Sequence, residues 1–292
     1  MTSSANRNSF PQKIDSLLVW ILRGMAVIVG GIVFLILTFL VLESLPAFRQ
    51  VGLLAFFTDS SWHPVQGFYN LMPMLIGTLL VVTGAVLLAA VLGILSALFC
   101  NYYAPRAIAN VYRRSLELLA GIPGVIYGFW GLTVLVPLIN RLHPPGTSLL
   151  AGILLLALLI LPTIALTVDA SFSTISQEYL QAATSLGLSR WGTIWGIVMP
   201  VARFGVFSGI VLAAGRALGE TMIVLMVCGN VVQIPSSIFA PIRTLPANIA
   251  LEMGFALGEH RSALFVSGLL LMGASFILVF LAEAIAPEDF YD

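Results

Sequence analysis

An arginine and a glutamate four residues apart, Arg216 and Glu220, stand inside the apolar segment GRALGETMIVLMVCGN, residues 215–230. A charge at bilayer depth costs roughly 2.5 to 3.5 kcal/mol on insertion scales, so it demands a partner or a role. On a helix starting near Gly205, Arg216 lies about 16 Å along the axis, close to the midplane. The spacing of four puts both charges on one helix face, where they partly offset each other. One reading is an internal salt bridge that fixes helix packing. The other, preferred here, is an anion pathway, since a guanidinium holds a tetrahedral oxyanion through paired hydrogen bonds. Gly205, Gly209, Ala213 and Ala217 recur at the same period and predict close packing on one flank, with the charges facing the bundle interior.

A second cluster lies upstream, in TISQEYLQAATSLGLSRWGTIWGIVMP, residues 174–200. Thr174 followed by Gln177 reads as a capping box that starts a helix. Ile175, Tyr179, Ala182, Ala183 and Leu186 form one apolar stripe at helical spacing, and Gly187 ends the helix at the position that favours φ > 0. Ser189 caps a second helix carrying Trp191, Ile194, Ile197 and Val198. A hairpin of this kind can lie on lipid headgroups or grip a partner protein. Only Arg190 is basic, which argues against a purely lipid role.

These sites need elements that hold them, and composition names the class. Apolar residues make up 59% of the 292 positions and charged residues 9%, with a mean hydropathy of +1.04. A soluble domain needs roughly a quarter charged residues, so the chain is predicted to be an all-α polytopic membrane protein. Six apolar blocks meet the length a bilayer requires. They run from about Leu17 to Leu42, Met72 to Leu98, Ser115 to Leu138, Ser148 to Ala170, Phe204 to Val227 and Ser262 to Ile285. Arg23 sits near the start of the first and can snorkel. Pro123, Pro137 and Pro162 are tolerated as kinks.

With the N-terminus inside, the cytoplasmic side carries Arg7, Lys13, Arg23, Arg106, Arg113, Arg114, Arg190 and Arg203, against Arg49, Arg141, Arg243 and Arg261 outside. That bias places both termini in the cytoplasm; the acidic tail of Glu288, Asp289 and Asp292 carries little topogenic weight. Two long external connections, Glu43 to Leu71 and Asn230 to Arg261, are candidates for docking an outside partner; the second contains a helical run predicted over Asn248 to Leu257. Glu117, Asp169 and Glu283 read as span-end charges reaching interfacial water. Cys100 and Cys228 read as small apolar residues, and His63, His143 and His260 are unclustered, so no metal or other cofactor is expected. A net charge of zero gives no footing to nucleic acid. Lys13, the single lysine, stands outside any phosphate-cradling loop motif, so if nucleotide energy drives transport, another chain hydrolyses it.

The spacing of Gln181, Ala182, Ala183, Gly187, Ile197, Met199 and Pro200 resembles the EAA loop of ABC importer permeases. The family has Glu and Leu where this chain has Gln181 and Met199, and Glu178 supplies acidic character one turn earlier. The resemblance implies a type I importer fold, with Glu178, Gln181, Ala182, Ala183, Gly187 and Pro200 coupling to an ATP-binding cassette ATPase dimer. GRALGETMIVLMVCGN, GIPGVIYGFWGL and SSWHPVQGFYNLMPMLIGTL are similar to segments of the C-type permease subunits of phosphate-specific importers. That similarity implies a substrate pathway at Arg216 and Glu220 and a place in the bacterial inner membrane. It also implies a second, A-type permease subunit and a periplasmic phosphate-binding protein as partners, in contact with membrane lipid. Relatives commonly carry a hydroxyl residue at Gly124. The expected organisation is a first helix and external loop over 1–71, the permease domain over 72–286 and a short tail over 287–292. Sulfate, molybdate or phosphonate are alternative cargoes. A proton-coupled secondary transporter is the other class, and it would have no ATPase to dock.

Overall fold

The computed structural model describes residues 12–285, with side chains from 18 to 284. Arg7, the side chain of Lys13, both chain ends and the acidic tail of Glu288, Asp289 and Asp292 lie outside these. The elements, in chain order, are α1 (Gln12–Gln50), α2 (Ala55–Thr58), β1 (Trp62–His63), β2 (Phe68–Tyr69), α3 (Met72–Leu98) and α4 (Arg106–Ala120). Then come α5 (Gly124–Trp130), α6 (Val136–Leu142), α7 (Leu149–Ser173), α8 (Gln177–Ser185), α9 (Arg190–Thr193), α10 (Met199–Leu218), α11 (Met222–Val227), α12 (Leu245–Glu252) and α13 (Gly258–Ile285). Among the described residues six helical stretches are long and apolar enough to cross a bilayer.

Three of the six differ markedly from the sequence reading. The third begins at Gly124 and runs to Leu142, because Gly121, Ile122 and Pro123 break the chain and leave Ser115 on the preceding amphipathic α4. The fifth runs from Arg190 to Leu218 rather than from Phe204 to Val227. Its continuity through Pro200 has a local cause. A proline lacks the N–H that an α-helix requires, and the π turn Ile194–Val198 immediately before it absorbs the lost bond. Pro137 follows the π turn Gly131–Leu135 in the same way. The first span extends past Leu42 to Gln50.

The inner core is α7, packed on α3, α10 and α4. Leu155, Leu156, Leu159, Ile160 and Ile164 are almost fully buried. Glycines admit the neighbours: a Cβ on Gly93 would meet Ile164, and one on Gly209 would lie 3.2 Å from Thr167 Cβ. Gly209, Ala213 and Ala217 are buried, so the small-residue ladder does pack closely, and it does so on α7. α1 packs along α13.

The two long connections fold together at one end of the bundle. Trp62 pairs with Tyr69 across a hairpin whose turn closes at Gly67 (φ 81°), and both rings are buried with Phe56, Leu71, Met74 and Leu245. Glu252 ties this end down. Its Oε1 accepts from Arg243 Nη1 at 2.6 Å, and its Oε2 lies 2.9 Å from Trp62 Nε1 and 2.8 Å from His260 Nε2. The helical run lies at Leu245–Glu252 rather than Asn248–Leu257 because Thr244 caps it, with Oγ1 accepting from Ala247 N–H and Pro246 in the first turn. Removing the carboxylate with Glu252→Leu takes the counter-charge from Arg243 and leaves it Asn230 O and Asn248 Oδ1, at a cost of roughly 3 to 5 kcal/mol. The detergent-solubilised variant is expected to unfold at lower temperature by calorimetry.

Candidate functional site

Two interrupted helices meet in the bundle. α10 stops at Gly219, and the chain re-enters a helix only at Met222. α4 stops at Gly121, and α5 restarts at Gly124. The two restarted helices lie against each other because α5 carries a glycine ridge at helical spacing. A Cβ on Gly128 would lie 3.3 Å from Ile223 Cα, and one on Gly131 would run into Leu155 and Val227. The motif GVIYGFWG held this signal, as small residues four and three apart.

Arg216 and Glu220 therefore do not sit on one continuous helix, which corrects the sequence reading. Arg216 occupies the last turn of α10, is exposed on this chain rather than buried, and donates from Nη1 to Thr163 Oγ1 at 3.1 Å. Glu220 falls in the break. Its Oε1 accepts from the backbone N–H groups of Met222 at 3.0 Å and Ile223 at 3.2 Å. Those are orphan donors at a helix start, and a carboxylate there also meets the positive end of the helix dipole. No ion pair joins the two charges among the described residues. The i, i+4 argument fails because Gly219 ends the helix between them. Glu220 instead packs on α5, where a Cβ at Gly124 would lie 2.8 Å from its Oε2. A glycine at 124 thus leaves the space that the carboxylate fills.

The second site lies at the opposite end from the hairpin. The helix starts at Gln177, capped by Ser176 Oγ accepting from Glu178 N–H at 3.3 Å. Thr174 instead closes α7, so the expected Thr174 capping box is not formed. Glu178 is in the first turn, where its charge suits the dipole. The helix ends in a Schellman arrangement: Leu188 N–H donates to Ala183 O and Gly187 N–H to Thr184 O, with Gly187 at φ 69°. Ser189 Oγ caps α9 through Gly192 N–H.

The apolar stripe divides by face. Ala183 and Ile175 are buried against the bundle, whereas Tyr179, Ala182 and Leu186, the last 78% exposed, face away with Gln181. Pro200 follows the π turn that joins this hairpin to α10. Asp169 does not reach interfacial water as a lone end charge. It accepts two bonds from Arg113, both at 2.9 Å, and one from Asn101 at 2.7 Å. The hydrogen bond to Asp169 is the main cause that raises the Arg113 pKa above the ordinary guanidinium value. Among the described residues no His, Cys, Asp and Glu cluster could hold a metal ion.

Residues 89–288 match the family described as binding-protein-dependent transport system inner membrane component. The chain is 37% identical to phosphate transport system permease protein PstC of Mesorhizobium japonicum, over 80% of this chain and 76% of that one. It is 33% identical to PstC of Pasteurella multocida (85% and 84% covered) and 35% identical to the probable ABC transporter permease protein YqgH of Bacillus subtilis (86% and 84%). Among solved structures, a bacterial ABC transporter that imports the acidic polysaccharide alginate aligns with a TM-score of 0.65 at 16% identity, covering 94% of this chain and 98% of that one. The MetNI methionine transporter in an inward-facing form aligns at 0.58 and 17%, covering 72% and 91%. The interrupted helices, the capped hairpin and the six spans thus sit in a chain that belongs to the family of inner membrane components of binding-protein-dependent transport systems.

Proposed function

We propose that this chain is the permease subunit of an ATP-driven importer and forms part of the path that carries inorganic phosphate across the inner membrane. The observation that carries the reading is the identity of 31–37% to permeases named for phosphate transport, over most of the chain. The break between α10 and α11 supports it. Arg216 is presented on the outer face of this chain, where a second, A-type permease subunit closes the path. Phosphate meets the guanidinium there and pairs with it bidentately. Glu220 holds the break open by occupying the first N–H groups of α11. Interrupted helices at a transport path are a recurrent solution, because irregular backbone is tolerated only where it lines a cavity.

The α8–α9 hairpin, with Glu178, Gln181, Ala182, Ala183 and Gly187, docks into the ATPase dimer in the cytoplasm. Pro200 and its π turn join the hairpin to α10. ATP is hydrolysed by that partner, and a periplasmic phosphate-binding protein delivers cargo to the opposite end, at the β1–β2 hairpin. Both chain termini then lie in the cytoplasm. Single cysteines test this arrangement. One at Val65, which is 99% exposed on the hairpin turn, is expected to react with an impermeant maleimide added outside intact cells. One at Ala182 is expected to stay unlabelled and to crosslink to the ATPase. Reaction of Ala182 from outside would reverse the orientation, and crosslinks confined to other regions would remove the docking role.

A further inference from the structure

A run of directional side-chain contacts leads from the α8–α9 hairpin to the interrupted helices. It starts at Arg190, the first residue of α9, whose Nη1 reaches Tyr102 O at 3.4 Å and whose guanidinium lies 6.0 Å from the Tyr103 ring centroid. Both tyrosines belong to the π turn Phe99–Tyr103 at the end of α3. From the same turn Asn101 donates to Asp169 of α7, and Asp169 takes the Arg113 fork from α4. Asn101 Oδ1 also accepts from Arg113 at 3.4 Å. Further along α4, Leu119 O accepts from the Tyr127 hydroxyl of α5 at 2.9 Å. α5 begins at Gly124, against Glu220.

We propose that the Arg113–Asp169–Asn101 cluster is the joint that transmits displacement of the α8–α9 hairpin to the break at Gly121–Pro123. The proposal rests on the reading of this chain as part of an ATP-driven importer. Three features favour a joint over a plain stabilising pair. The fork fixes an angle as well as a distance, which an apolar contact does not. The cluster gathers three elements, α4, α7 and the π turn, and the hairpin grips that same π turn. The π turn that ends α3 carries Asn101, Tyr102 and Tyr103 together, so one short segment bonds both the cluster and the hairpin. Arg113, Asp169 and Asn101 are positioning residues that touch neither cargo nor nucleotide.

The assembled importer in liposomes tests this with two variants. Asp169→Asn keeps the volume and one acceptor, and Arg113→Lys keeps the charge and loses the fork. Each is expected to lower phosphate taken up per ATP hydrolysed by about tenfold, or roughly 1.4 kcal/mol of coupling, while ATP hydrolysis stays within about twofold. A second readout is independent of cargo. A cysteine at Val125, in the first turn of α5, is expected to change its labelling rate when the ATPase is trapped with a non-hydrolysable nucleotide. Both variants are expected to lose that change. Uptake and hydrolysis falling in proportion, or a nucleotide-dependent Val125 signal preserved in either variant, would overturn the joint. If Asp169→Asn cannot be purified, Arg113→Lys decides alone. Whether the unaltered assembly takes up phosphate at all judges the cargo reading separately.

Discussion

Gly187→Val is expected to cut phosphate uptake by a factor of roughly 5 to 150 while leaving the chain inserted in the membrane. That range is about 1 to 3 kcal/mol of backbone strain expressed in the coupling-competent population. A Cβ at this position meets nothing within 4 Å, so the cost is conformational and not steric. It comes from φ of 69°, which a β-branched residue resists. The strain falls on the turn that fixes the hairpin angle, where Leu188 and Gly187 satisfy the last carbonyls of α8. Gly187→Asn is the control, since asparagine accepts the left-handed conformation. It is expected to transport within about twofold of the unaltered chain. Equal loss in both variants would move the cause from backbone conformation to side-chain bulk.

Arg216→Gln is expected to lower uptake by about 10- to 150-fold, the worth of a charged hydrogen bond of roughly 1.5 to 3 kcal/mol. Assembly should survive, because Arg216 is exposed and, among the described residues, makes one hydrogen bond, to Thr163. Arg216→Lys keeps the charge without the fork and is expected to fall between. Glu220 separates two roles. Glu220→Gln retains an oxygen for the N–H groups of Met222 and Ile223, so the break should persist. Glu220→Ala loses the cap at a cost of about 1 kcal/mol. Uptake that follows the cap, normal in Gln and low in Ala, is the expected result by radiolabelled phosphate assay. Low uptake in both would instead assign a role to the negative charge itself.

The membrane class was legible because composition and block length act on the whole chain and need no contact information. The hairpin was legible in outline for a similar reason. A glycine at the end of an amphipathic run and a serine two residues later are local signals, and both held. The start was misplaced by two residues because Thr174 and Ser176 are both able to cap; Thr174 closes α7 and Ser176 starts α8. The fifth span shows where periodicity runs out. Arg216 and Glu220 share a helix face only if the helix is unbroken, and apolar residues on both sides of Gly219 conceal the break. Asp169 read as an end charge because its partner, Arg113, lies 56 residues away, in what read as a cytoplasmic connection. The Glu252 hub was hidden likewise, since Trp62 is 190 residues distant.

One measurement bears most directly on the reading as a phosphate importer: uptake of radiolabelled phosphate into proteoliposomes holding this chain with its partner permease, the ATPase dimer and the binding protein. ATP inside the assay is expected to drive accumulation, and excess sulfate or molybdate is expected to leave it unchanged. Accumulation driven by a proton gradient without ATP, or abolished by sulfate in excess, would contradict it.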